Sequence, residues 1–283
     1  MNKRLSYNII TYICLIVLFS VTLIIGIFID HKLAAELYSG NNIPAVILSI
    51  IGVYLYYGSM VFFQGVLIRQ ISLTGIKPAA KIIWGIIYTY FAISTSTYGA
   101  AALLSNSVCG LLLKNNPHTL VHYMTSGLYL FLPLYPLGII LNGRKYDKKA
   151  VKDLIIILII MTIATFSSNI VKRLVMRPRY RITLMGYEST TKLLTDDLAS
   201  FFSGHAMNAA LGMIIYPAFK HVFSGLQDKE KLIRIIAVII LIPIVISRMI
   251  LGNHYLSDIS FGAIIGLFFC IIYDLTYKKV INQ

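Results

Sequence analysis

From Leu154 to Ile170 the chain runs without a single charge, and a run of that length is what a bilayer selects and a water-facing surface rejects. Seven further runs of the same kind follow the same rule. At about 20 residues per crossing and about 1.5 Å per residue, the spans are predicted at 8–29, 44–68, 82–104, 119–142, 153–172, 203–219, 233–251 and 257–277. Composition agrees: 58% of the 283 residues are hydrophobic and 13% charged, against about 45–50% and about 25% in soluble domains. An ordinary soluble globule and a disordered chain are both excluded. The net charge of +14 would suggest nucleic acid in a soluble protein, but the basic residues here cluster between apolar runs, where they orient spans, and no nucleic-acid partner is expected.

With the amino terminus placed in the cytoplasm, 16 of the 25 basic residues fall on the inner side, in the two ends and the connectors around 69–81, 144–152 and 220–234. Of the nine outside, six crowd into one connector: Lys172, Arg173, Arg177, Arg179, Arg181 and Lys192. The positive-inside rule then predicts an all-α polytopic integral membrane helical bundle of about eight transmembrane helices with both termini cytoplasmic. The first run, Tyr7–Ile29, has no small-residue cleavage site after it and is expected to stay as an anchor. The Asp30–Asn42 connector reads either as a short outer-surface helix, capped by Asp30 and stopped by Gly40, or as a plain loop. Cys14 and Cys270 sit in apolar runs and Cys109 stands alone in a connector, so neither a disulfide framework nor a thiolate metal cluster is predicted. Residues 1–150 form four spans of unassigned role, and 151–283 hold the chemistry.

Three fragments place ionisable groups at the ends of apolar runs, where they usually face a cavity or one another. They are Lys172–Tyr180, Ser200–Ala206 and Ser247–Asp258. Two crossings separate the last from the others, so the charge count puts all three on one outer face. Together they offer two histidines, a carboxylate and several fixed cations around a Ser-Gly turn that opens a helix. A helix start with Lys and Arg nearby suits a dianionic phosphoryl group, and phosphoryl transfer needs mainly positioning, charge stabilisation, a nucleophile and an acid. His254 and Asp258, four apart, share a face if a helix starts there, so the carboxylate can orient the ring. His205 is then left to act as the acid.

Lys172 followed by Arg179, then Ser203-Gly204-His205, then Arg248, His254 and Asp258 resemble the three signature motifs of the type 2 phosphatidic acid phosphatase superfamily, which also includes glucose-6-phosphatases and vanadium haloperoxidases. The resemblance covers about the last 130 residues. It implies that His254 attacks phosphorus and forms a phosphohistidine, that Asp258 holds His254, and that His205 protonates the leaving group and then activates water. It implies Lys172, Arg179, Arg248, Ser203 and Gly204 as the phosphate-binding set, with no metal and no cofactor. The chain departs from the family at two turns, carrying Tyr180 and Phe202 where proline is usual.

The expected function is therefore a metal-independent phosphatase of the cell membrane, acting on a lipid phosphomonoester or diphosphate at the extracytoplasmic side. A phosphotransferase uses the same residues, and a transporter or scaffold keeping only the phosphate cluster is the reading from another class. Arg173, Arg177 and Arg181 are read as basic loop residues facing headgroups, His118, His122 and His221 as interfacial or structural, and Asp196 and Asp197 as a hydrated loop. In a cysteine-free background, Lys192→Cys should react with an impermeant maleimide added to intact cells and Lys148→Cys should not; the opposite pattern inverts the orientation.

Overall fold

The computed structural model describes residues 3–104, 120–142, 145–184 and 198–281. Cys109, His118, Lys192, Asp196 and Asp197 lie outside the described residues, as does the side chain of His122. The described chain is helical: α1 (Lys3–Leu37), α2 (Ile43–Ser72), α3 (Pro78–Leu104), α4 (Leu120–Leu141), α5 (Lys148–Val175), the single turn α6 (Tyr180–Thr183), α7 (Gly204–Ala218), α8 (Glu230–Ile250) and α9 (Leu256–Ile281), with two 3-10 turns between α7 and α8. The eight long helices lie where the eight spans are predicted.

Six of them are long and apolar enough to cross a membrane, in the segments Tyr7–Leu37, Ile43–Ser72, Tyr123–Leu141, Lys148–Thr183, Ser224–Ile250 and Leu256–Tyr277. Helix α3 carries Thr89 and the run Ser94–Thr97, which lower its hydropathy. Helix α7 has only 15 residues, about 22 Å at about 1.5 Å each against an apolar layer of about 30 Å. Its shortness goes with its place: 11 of those 15 residues are buried, and α5, α8, α9 and α2 all pack around it.

The connector after the first span is neither a separate surface helix nor a plain loop. Helix α1 continues through Asp30 to Leu37, because the side chain of Asp30 turns inward to partners described below and so does not cap a new helix. The next helices start as their sequences dictate. Asn42 accepts from the Ala45 amide at 2.9 Å to open α2, and Asp147 accepts from the Lys149 and Ala150 amides to open α5; each satisfies donors that the first turn leaves without a helical partner.

Helix α1 runs along α9, while α3 and α4 pair with each other and lean on α2, which in turn touches α5, α7 and α8. The arrangement of the site depends most on α9 lying close against α7. A Cβ added at Gly262 would come within 2.4 Å of the Ser203 carbonyl oxygen, and one at Gly266 within 2.5 Å of the Met207 carbonyl oxygen. This is the small-residue contact through which helices approach backbone to backbone in a membrane. It sets the start of α9 beside the start of α7, and the Ser203 amide donates to the Asp258 carbonyl at 3.0 Å.

At the far end of the bundle, His221 meets Asp153 at 2.6 Å and Tyr273 donates to the same carboxylate at 2.5 Å. His221 is thus a structural tie between α5, α9 and the turn after α7. Gly266→Leu should reduce stability in detergent by about 1–3 kcal/mol or more through overpacking, read as a lower thermal unfolding midpoint. Gly225→Ala, whose Cβ would meet nothing within 4 Å, should leave the midpoint in place.

Candidate active site

Lys172 stands in the last turn of α5, which Met176 ends in the left-handed conformation (φ 48°), its amide donating to the Lys172 carbonyl. The chain then turns through Arg177 and Pro178 so that Arg179, 2% exposed, precedes α6. Ser203 caps α7, its Oγ accepting from the Ala206 amide at 3.3 Å, and Gly204 and His205 form the first turn. Arg248 lies in the last turn of α8, 1% exposed, with Nη1 donating to Ser49 Oγ of α2 at 2.6 Å. After it Gly252 takes φ +62°, where a Cβ would strike the Tyr38 ring at 2.7 Å. The loop folds back, so that the Asn253 and His254 amides both reach the Arg248 carbonyl, at 3.1 and 3.3 Å.

These turns bring Lys172, Arg179, Gly204, His205, Arg248 and His254 around one cavity of about 220 Å³. Six of the eight residues predicted from the motifs therefore line it. Ser203 sits behind, buried and capping α7, and Asp258 is fully buried at the start of α9. Asp258 Oδ2 stands 3.9 Å from His254 Nδ1, within ion-pair reach and beyond hydrogen-bond length. The Ser200 carbonyl occupies the hydrogen-bonding place, 2.6 Å from His254 Nδ1, while Asp258 is engaged by Ser200 Oγ at 2.5 Å, the Tyr255 amide at 2.9 Å and Arg177 Nη1 at 2.6 Å. A carbonyl only accepts, so Nδ1 carries the ring proton and Nε2 the lone pair.

Burial first, then the positive charges of Arg179, Arg248 and Lys172, push His254 well below its ordinary value of 6.5, against the Ser200 carbonyl, which favours the charged form. His254 is thus a neutral base facing a cationic cavity. Among the described residues, three buried polar atoms of the cavity lining, His205 Nε2, Ser168 Oγ and Asn208 Oδ1, find no hydrogen-bond partner. Such groups are rare in interiors and signal a ligand or water position.

Several residues at the site were not singled out for it from sequence. Ser168 lies one turn before Lys172, and Asn208 three residues after His205, so helical spacing from the motif residues would have found both. Ser200 acts partly through its main chain, which leaves no such signal. Arg177, read as a loop cation, is ion-paired to Asp258 and Asp30. The two places where proline is usual hold packed aromatics: Tyr180 lies edge-on to Tyr38 and Tyr255, and Phe202 packs on Phe261. Among the described residues no three of His, Cys, Asp and Glu gather as a metal site.

The model of the PAP2 superfamily matches residues 153–281, the segment that carries every one of these motif residues. The chain is also 30% identical over 136 residues to a phosphatidylglycerophosphatase B of Bacillus subtilis (strain 168), a stretch that takes in 47% of this chain and 63% of that protein. The match thus spans less than two thirds of the relative's own length. No solved structure matches the chain. Helices α2 and α3 lie outside the PAP2 segment, yet they supply Gly52, Val53, Tyr57, Tyr98, Ala101 and Ala102 to the cavity wall. In a nitrogen-15 histidine NMR titration, His254 should titrate well below 6.5. Arg179→Gln, by removing one of the cations that depress it, should move the midpoint upward; a wild-type midpoint at or above 6.5 contradicts this electrostatic account.

Proposed function

We propose that the protein is a membrane phosphatase that hydrolyses a lipid phosphomonoester or diphosphate on the extracytoplasmic side, without a metal, through a phosphohistidine at His254. The observation that carries this reading is the convergence of three cations, two histidines and the start of α7 on one buried cavity, with Nδ1 of His254 already committed as a donor. The PAP2 match and the phosphatidylglycerophosphatase relative support the same class.

Lys172, Arg179, Arg248 and the first-turn amides of α7 bind the nonbridging oxygens and stabilise the charge that spreads over them in the transition state. Nε2 of His254 attacks phosphorus, and the phosphorus–oxygen bond to the lipid breaks as His205, which takes up a proton when the substrate dianion offsets the positive charge of the cavity, donates that proton to the leaving oxygen. The resulting phosphoimidazolium keeps its Nδ1 proton on the Ser200 carbonyl. His205, now neutral, takes a proton from water, whose oxygen attacks phosphorus. The phosphorus–nitrogen bond breaks, inorganic phosphate leaves, and His254 is neutral again. Asp258 takes part as a positioning residue, through Ser200.

A lipid substrate follows from the other half of the cavity. Val53, Ala101 and Ala102 of α2 and α3 line the same cavity, and Lys172 and Arg248 stand in the last turns of α5 and α8, which supports a substrate with both an apolar and a phosphate part. Phosphatidylglycerol phosphate, phosphatidic acid, undecaprenyl diphosphate and a lipid A phosphate all fit that description, and the relative puts the first of these at the head of the assay panel.

The test is phosphate release by purified protein, wild type against His254→Ala, on that panel with glucose 6-phosphate included and chelator present throughout. Chelator-resistant turnover of a lipid phosphate should fall at least about a thousandfold in the variant. Turnover of glucose 6-phosphate alone overturns the lipid reading, and loss of activity in chelator overturns metal independence. Transfer of labelled phosphate to a lipid acceptor in place of water identifies a transferase.

A further inference from the structure

Resting on the reading of His254 as nucleophile, we propose that Asp30 of α1 is a positioning residue of the reaction, acting on His254 through Arg177, Asp258 and Ser200. Asp30 lies far from the PAP2 segment in sequence, and its own surroundings in sequence suggest only the end of a span. In the fold it is 5% exposed. Its Oδ1 accepts from the Ser257 amide in the first turn of α9 at 3.0 Å, and its Oδ2 accepts from Arg177 Nη2 at 2.9 Å and from the Ser257 hydroxyl.

The guanidinium of Arg177 is thus clamped at both ends. Nη2 is held by Asp30, while Nη1 donates to Asp258 Oδ1 at 2.6 Å and to Ser257 Oγ at 2.8 Å. Its plane lies over the Tyr255 ring, 4.2 Å from the centroid. With Oδ1 so engaged, Asp258 turns Oδ2 to Ser200 Oγ, and the Ser200 carbonyl holds the proton on His254 Nδ1. Each link is a charge-assisted or short hydrogen bond between groups of one connected network, whose members polarise and orient one another.

Neutralising Asp30 releases Nη2, lets the guanidinium leave its plane, and removes the partner that fixes Asp258. The Ser200 segment then loosens and the His254 ring populates the tautomer with the proton on Nε2, which has no lone pair to offer phosphorus. Lys172, Arg179 and Arg248 do not touch Asp30, so phosphate binding is spared. The prediction is a split: in Asp30→Asn, kcat falls about ten- to hundredfold, the size of effect a small displacement of a reacting group produces, and KM stays within about twofold.

The deciding readout does not need substrate. Nitrogen-15 histidine spectra of the full-length protein in detergent should show His254 with the proton on Nδ1 in wild type and a mixture of tautomers in Asp30→Asn. Asp30→Glu should restore much of the wild-type spectrum. Thr22→Ala removes another tie between α1 and α9, the 2.8 Å hydrogen bond to Ser260, without touching the charged chain, and should leave tautomer and turnover unchanged. If Asp30→Asn does not accumulate as folded protein, Arg177→Lys, which keeps the charge and loses the fork, makes the same test. A folded Asp30→Asn protein with the wild-type tautomer and wild-type kcat overturns the proposal, as does a tautomer shift of equal size in Thr22→Ala. A wild type that shows the Nδ1 tautomer and turns over nothing on the lipid panel defeats the phosphatase reading, and the tautomer comparison then still decides the role of Asp30.

Discussion

Three cations around one cavity of about 220 Å³ repel one another, because charges at a buried site are screened less than charges in bulk water. The rest of the site is arranged around that repulsion. Asp258, the carboxylate in the motif set, is fully buried beyond His254 and tied to Arg177. On the proposed reading, a phosphoryl dianion relieves the repulsion among Lys172, Arg179 and Arg248. The same field keeps His254 neutral, so on the proposed reading the groups that attract the anion also preserve the lone pair that attacks it.

Holding charges in this way requires helix ends to be placed with little play, and the close contact of α9 on α7 does so. It joins the start of α7 to the start of α9 through the Ser203–Asp258 backbone hydrogen bond. Burial of α7 among four neighbours explains how a helix of 15 residues keeps its place without reaching across an apolar layer. The aromatic rings of Tyr180 and Phe202 pack on Tyr38, Tyr255 and Phe261 at the two turns where the motifs the chain resembles usually carry proline.

Much of this was legible in the chain. Long uncharged runs announce their helices whatever the tertiary context, and motif residues with fixed offsets announce their cavity. The readings that failed share a cause. Asp30 looked like a cap because a polar residue ending an apolar run usually is one, and only the fold shows that its partners, Arg177 and Ser257, lie 147 and 227 residues away. The expected contact of Asp258 with His254 follows from helical spacing. The two groups do stand 3.9 Å apart, but the place at hydrogen-bond distance from Nδ1 is taken by a main-chain carbonyl that no spacing rule describes. Tyr98, Ala101 and Ala102 reach the cavity only because α3 leans on α2, a matter of packing between helices.

The acceptor that fixes the His254 proton belongs to the backbone, and this has a bearing on how the site responds to mutation. Every residue type carries the same carbonyl, so no substitution at position 200 deletes the acceptor itself, whatever it does to the Oγ contact with Asp258. The tautomer is encoded in the path of the chain, not in the identity of one side chain. Sensitivity is thereby displaced to the residues that steer that path, many of them remote from phosphorus. On the proposed mechanism, a survey of single substitutions would find its loss-of-function positions spread along α1, the turn at Arg177 and the first turn of α9, in a pattern that resembles a folding defect and has a catalytic origin.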